Sequence, residues 1–157
     1  MKTNYTVEGK TLTAQRSFKA PKSKVWKFYT TAELLDQWWG PSPYKAVTKD
    51  MAFEPGGAWR YVMSGPEGDA HHCILKYKAI DPENSFSAHD AFANEDWSVN
   101  NELPTQDWDV SFVEEGDMTH LKVVMVVQKE EDMETLVNMG MKEGFDIGLN
   151  QLEALLA

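Results

Sequence analysis

Residues 130–156 read EEDMETLVNMGMKEGFDIGLNQLEALL, and how this stretch folds decides the architecture of the whole chain. The pattern predicts the longest amphipathic helix of the protein, from about Glu130 to Leu156, with Leu149, Leu152 and Leu155 among its apolar positions. Three glycines, Gly140, Gly144 and Gly148, recur every four residues inside it. A glycine in a helix interior costs about 1 kcal/mol relative to alanine, so three cost roughly 3 kcal/mol unless that face needs the space. Either another backbone packs closely there or a cavity lies beneath. In an apolar run of membrane length this spacing would indicate a helix dimer, but Lys142, Glu143, Asp146 and Glu153 interrupt it. The segment therefore predicts a helix closing a globular domain over a place for a hydrophobic ligand.

Working outward, the 157 residues suit one domain, 1–157, large enough to bury a core and hold a modest cavity. A net charge of −10, without a basic patch or polybasic run, argues against nucleic acid or an anionic membrane surface as the main partner, and no membrane insertion is expected. Cys73 is the single cysteine, so no intramolecular disulfide forms. The first residues carry no apolar stretch of signal-peptide type, and the expected location is cytoplasmic. Six Trp and seven Phe supply rings for a core, a pocket or both.

Ahead of the helix the chain reads as strands. Tyr5 to Val7 and Leu12 to Phe18 alternate around Glu8-Gly9-Lys10, which fits one interrupted strand or a short hairpin. Ala20-Pro21 starts a short helix with Val25, Trp26, Phe28 and Tyr29 on one side. Thr30 and Glu33 fit a capping box for a second helix carrying Leu34, Leu35 and Trp38, which Gly40-Pro41 ends. From Tyr44 to Gln128, turn signals at Pro55-Gly56-Gly57, Gly65 to Gly68, Asp81 to Asn84, Ala93 to Pro104 and Glu114 to Asp117 divide the chain into six strands. Hairpin-length connections make the sheet antiparallel, with the last helix across one face.

Strand parity sorts the side chains. Trp59, Tyr61 and Met63 share the inward face, and the solvent-side Lys76 and Lys78 put His71, Cys73, Leu75 and Tyr77 inside. The same parity turns in Phe86, Ala88, Asp90 and Phe92, then Trp108, Val110 and Phe112, then Leu121, Val123, Met125 and Val127. A slip of one residue would invert any of these sets.

Three segments carry a family resemblance: Gln37-Trp38-Trp39-Gly40-Pro41, Glu54-Pro55-Gly56-Gly57-Ala58-Trp59-Arg60, and Gly140-Met141-Lys142-Glu143-Gly144-Phe145 with Leu149, Leu152 and Leu155. Together they resemble the bacterial branch of the START-like (SRPBCC) superfamily related to the activator of heat-shock protein 90 ATPase. Arg16 to Pro21 with Val25-Trp26 is similar to the family's first strand and helix, so the resemblance spans nearly the whole chain. It implies an α+β helix-grip fold: a curved seven-stranded antiparallel sheet around a long C-terminal helix, two short helices after the first strand, and a cavity between. Members of the wider superfamily bind lipids, sterols, hormones or polyketides, some transform polyketides, and eukaryotic relatives stimulate a chaperone ATPase. The motifs quoted are architectural, so the resemblance transfers no catalytic residue.

The expected ligand site is lined by Trp38, Trp39, Trp59, Tyr61, Met63, His71, Tyr77, Phe86, Asp90, Trp108, Phe112, Met141, Gly144 and Phe145. Much of this set must also be ordinary core, and close packing of the glycine stripe on the sheet is the rival to a cavity. Asp90, in phase with Phe86 and Phe92, either points a carboxylate inward, where burial raises its pKa, or sits at a solvated strand end. Arg16, in phase with Leu12, Ala14 and Phe18, either anchors a ligand or is a paired structural arginine. His71 and Cys73 share a face, but zinc needs three or four converging ligands and only His89 and Asp90 are near in the pattern, so no metal or other cofactor is expected. Cys73 reads as a small buried hydrophobe.

The leading expectation is a binder of a small apolar or aromatic molecule whose polar end meets Asp90, His71 or Arg16, without a defined catalytic activity. One alternative is an interaction module that modulates a chaperone ATPase. Another is an enzyme on an aromatic or polyketide-like substrate with Asp90 or His71 as acid or base. A homodimer through a sheet edge or helix face is compatible with each.

Overall fold

The computed structural model describes residues 2–157. The opening alternation forms a hairpin, β1 (Asn4–Glu8) and β2 (Thr11–Phe18), paired antiparallel around Gly9. Next come α1 (Lys22–Thr30) and α2 (Ala32–Trp38). Six strands follow: β3 (Lys45–Met51), β4 (Ala58–Ser64), β5 (Ala70–Asp81), β6 (Ser85–Ala93), β7 (Gln106–Glu115) and β8 (Met118–Val127). Two helices, α3 (Glu130–Asn138) and α4 (Met141–Leu156), complete the chain.

The strands make one curved antiparallel sheet in the order β1-β2-β8-β7-β6-β5-β4-β3. The α+β class and the antiparallel sheet agree with the sequence reading, but the sheet has eight strands where seven are expected, because the hairpin supplies two. The capping box at Thr30 does not form: Thr31 is the N-cap of α2, and the Thr30 hydroxyl donates back to the Trp26 carbonyl at 2.7 Å.

The long C-terminal helix is also broken. Gly140 has φ +89°, a left-handed conformation that ends α3 and restarts the helix as α4. Gly140 is thus a helix stop and not part of an interior stripe. Gly148 does mark a close approach: a Cβ there would lie 3.3 Å from the Trp38 carbonyl oxygen and 3.6 Å from that of Trp39. Gly144 has more room, with Pro41 Cγ 3.6 Å from the same hypothetical atom.

Parity holds across the sheet. Leu12, Ala14 and Phe18 of β2, Trp59 and Tyr61 of β4, Leu75 and Tyr77 of β5, and Val110 and Phe112 of β7 are all buried on the face that the helices cover. From α4, Leu149, Leu152 and Leu156 close the core, each buried aliphatic side chain contributing about 2 kcal/mol. At one end α1 fills the concavity with rings: Trp26 meets Phe53, Phe86 and Phe112 edge-on at 5.7, 6.1 and 5.3 Å. At the other end the space is not filled.

Candidate functional site

That unfilled space is a cleft of about 400 Å³ between the concave face of the sheet and α4. Its floor is built from β4 (Tyr61, Met63), β5 (His71, Cys73), β6 (Asp90, Phe92), β7 (Gln106, Trp108) and β8 (Met125). The roof is α3 and α4, through Leu136, Met139, Met141, Gly144, Phe145 and Gly148, and the back wall is Trp38, Trp39 and Pro41 at the end of α2. Tyr44 stands at the rim.

The back wall is held by α4. The last carbonyls of a helix lack partners within it, and here the Gln151 side chain supplies them: its Nε2 donates to Trp38 O and Gly40 O, both at 2.8 Å. Gln151 Oε1 accepts from the Ser42 amide at 3.1 Å. From the sheet side, Asp36 accepts from Thr48 N and Oγ1 at 3.1 and 2.6 Å. With α2 pinned on both sides, Trp39 projects into the cleft, meeting Trp108 at 5.6 Å and Phe145 at 6.3 Å between ring centres. Its indole N–H donates to the Tyr61 hydroxyl at 2.9 Å.

Polar groups gather at one place on the floor. Asp90 and Gln106 are direct cross-strand partners, and Gln106 Nε2 donates to Asp90 Oδ2 at 2.6 Å. Asp90 keeps some accessible surface through the cleft, yet protein encloses it closely enough for burial to push its carboxyl from the ordinary 3.8 up to about 6. The Gln106 hydrogen bond and the nearby His89 oppose that rise. Among the described residues, Gln106 Oε1 and Trp108 Nε1 are buried without a hydrogen-bond partner. Burial, reinforced by the Asp90 charge, pushes the Cys73 thiol up to about 12, so it stays protonated and is no nucleophile. Burial likewise raises the Tyr61 hydroxyl.

Of the residues expected at the site, Trp38, Trp39, Tyr61, Met63, His71, Asp90, Trp108, Met141, Gly144 and Phe145 line this one cleft. Trp59, Tyr77, Phe86 and Phe112 do not; they belong to the closed core, where Trp59 stacks behind Tyr61 at 4.0 Å and the others pack around α1. His71 keeps its inward parity but lies past the covered part of the sheet, exposed at the mouth, with Nε2 3.3 Å from Asp69 Oδ2. Tyr44 donates to the same Asp69 oxygen at 2.7 Å. Arg16 is buried but lies outside the cleft lining, 3.5 Å from Glu153 and 5.5 Å above the Phe18 ring. Gln106 escaped the sequence reading, although it shares the parity of Trp108 two residues on. No group of three or more potential metal ligands occurs among the described residues, nor any helix long and apolar enough to cross a membrane.

The crystal structure of protein Ms6760 from Mycobacterium smegmatis superposes with a TM-score of 0.90 at 31% identity, covering 100% of this chain and 96% of that one. The solution structure of a protein from Arthrobacter aurescens gives 0.91 at 26% identity, over 99% and 90%. One from Staphylococcus epidermidis gives 0.87 at 26%, over 97% and 92%. No curated protein matches the chain in sequence. The family model described as Activator of Hsp90 ATPase homolog 1-like protein matches residues 19–157, so the chain, with its curved antiparallel sheet and C-terminal helix, belongs to that family.

Proposed function

We propose that this protein binds a small, predominantly apolar molecule in the cleft between the sheet and α4. The observation that carries the reading is the unfilled volume of about 400 Å³ walled by rings and thioethers at the end of the fold that α1 does not plug. Rings and methionines facing water leave unrecovered about 25 cal/mol for every Å² of apolar surface, and an apolar occupant recovers it. Met63, Met125 and Met141 come from β4, β8 and α4 and Met139 from the turn between α3 and α4, and flexible thioethers let such a wall adjust to its occupant. The size suits a compact molecule of up to four fused rings or an acyl chain.

The test is native mass spectrometry of freshly purified protein with solvent extraction of anything bound, followed by titration with the neutral apolar dye Nile red. A discrete adduct, or saturable dye binding at one site per chain, supports the reading. A clean apo mass together with no dye binding overturns it.

A further inference from the structure

The cleft is apolar over most of its wall, and the carboxylate on its floor is that of Asp90. Asp90 offers a carboxylate, and beside it Gln106, 8% exposed, turns an unpartnered carbonyl oxygen into the same buried corner. A buried acceptor without a donor is costly, and a carboxylate largely withdrawn from water with one hydrogen-bond donor is costlier. No lysine or arginine lines the cleft to offset that charge. Around the corner stand the faces and edges of Trp39, Trp108 and Tyr61, and ring faces attract cations. The net charge of −10 adds a field that draws cations toward the whole molecule.

A carboxylate with one hydrogen-bond donor, no lysine or arginine among the described lining residues and a surround of rings are together complementary to an ammonium group on an apolar body. We infer that the occupant of the cleft is an apolar amine, bound as the cation, with its N–H groups on Asp90, which Gln106 holds in place, and its body against Trp39, Trp108 and Phe145. Because the fold has already desolvated the carboxylate, the amine meets an acceptor held in place, and little further ordering is needed on binding. Carboxylates and phosphates are disfavoured, since they would meet Asp90 with no cation between. The inference rests on the cleft being a ligand site, as proposed above.

The experiment separates the two claims. Nile red is bound to the full chain at about pH 8, where carboxylates are ionised and alkylamines protonated. It is then displaced by phenethylamine, phenethyl alcohol or hydrocinnamate, which share one aromatic body and differ in their end group. The inference expects the amine to compete about tenfold better than the alcohol, the acid being weakest, as a charge-assisted hydrogen bond to a buried carboxylate implies. In Asp90→Asn the amine-to-alcohol ratio, read within the variant, collapses toward one, and in Gln106→Leu it falls by a smaller factor. A wild-type ratio near one, a preference for the acid, or an amine preference that survives Asp90→Asn overturns the inference while leaving the cleft a ligand site. Failure of Nile red to bind the wild-type chain, together with a clean apo mass, overturns both.

Discussion

Alanine at each of the three C-terminal glycines should give three different results, and the difference tests how the end of the chain folds. At Gly140 the φ of +89° places any side chain in the left-handed region, which costs about 1 to 2 kcal/mol in a residue with a Cβ. At Gly144 the backbone is helical and the nearest foreign atom to a new Cβ would be Pro41 Cγ at 3.6 Å, an ordinary contact. Alanine there recovers helix propensity and should stabilise by about 0.5 to 1 kcal/mol. At Gly148 the same gain is offset, because the methyl would stand 3.3 Å from the Trp38 carbonyl oxygen and the end of α2 must move by a few tenths of an ångström. Its net effect should fall within about 1 kcal/mol of zero, in keeping with overpacking against a helix propensity of similar size. Urea unfolding with unchanged m-values should thus order the chains Gly144→Ala above wild type and Gly140→Ala below it, separated by about 1.5 to 3 kcal/mol. Equal stabilisation by all three would mean that one helix runs through Gly140. Destabilisation by Gly144→Ala would mean that its face is packed far more tightly than described.

Asp90 should leave a pH signature on stability. Its carboxyl titrates at about 6 in the folded chain against 3.8 ordinarily, so the folded state holds a proton that the unfolded chain releases. The penalty is absent below about pH 3.8, grows as pH rises through that interval and is complete above about pH 6. Asp90→Asn should match wild type near pH 3.5 and exceed it by about 2 kcal/mol at pH 8, allowing for partial exposure through the cleft. A difference independent of pH in paired urea titrations would contradict the buried carboxylate. Gln151→Leu strips the donors from two carbonyls at the end of α2 and should lower stability by about 1 to 3 kcal/mol while weakening Nile red binding, because Trp39 hangs from that corner. Unchanged urea midpoint and dye affinity would show that α2 is held by other contacts.

Much of this was legible in the residues. A period of two is hard to mistake over eight to twelve positions, so parity placed Tyr61, Cys73, Asp90, Phe92 and Trp108 on the concave face, where they line the cleft. Parity cannot tell where the covered area stops, which is why His71, in the same phase as Cys73, proved to be at the mouth. Nor could it divide the inward rings between core and cleft. That division depends on α1, whose Trp26 and Tyr29 fill one end of the concavity and take Phe86 and Phe112 into the closed core. The break at Gly140 was obscured because apolar residues continue on both sides of it, so a left-handed stop looked like one member of a repeat. Its neighbours Gly144 and Gly148 both line the cleft, and Gly148 also makes the close backbone contact, so both explanations offered for the stripe apply at Gly148. Gln106 begins β7 directly after a long polar loop, where a strand start is poorly marked by composition.

The most direct test of the central claim is an amide NMR titration of the assigned protein with Nile red. The account predicts saturable shifts confined to the cleft, on β4 to β7 near Tyr61, Cys73, Asp90 and Trp108 and on α4 around Gly144 and Phe145, with the outer face of the sheet unmoved. Saturable shifts centred on any other surface, with these amides silent, would contradict it.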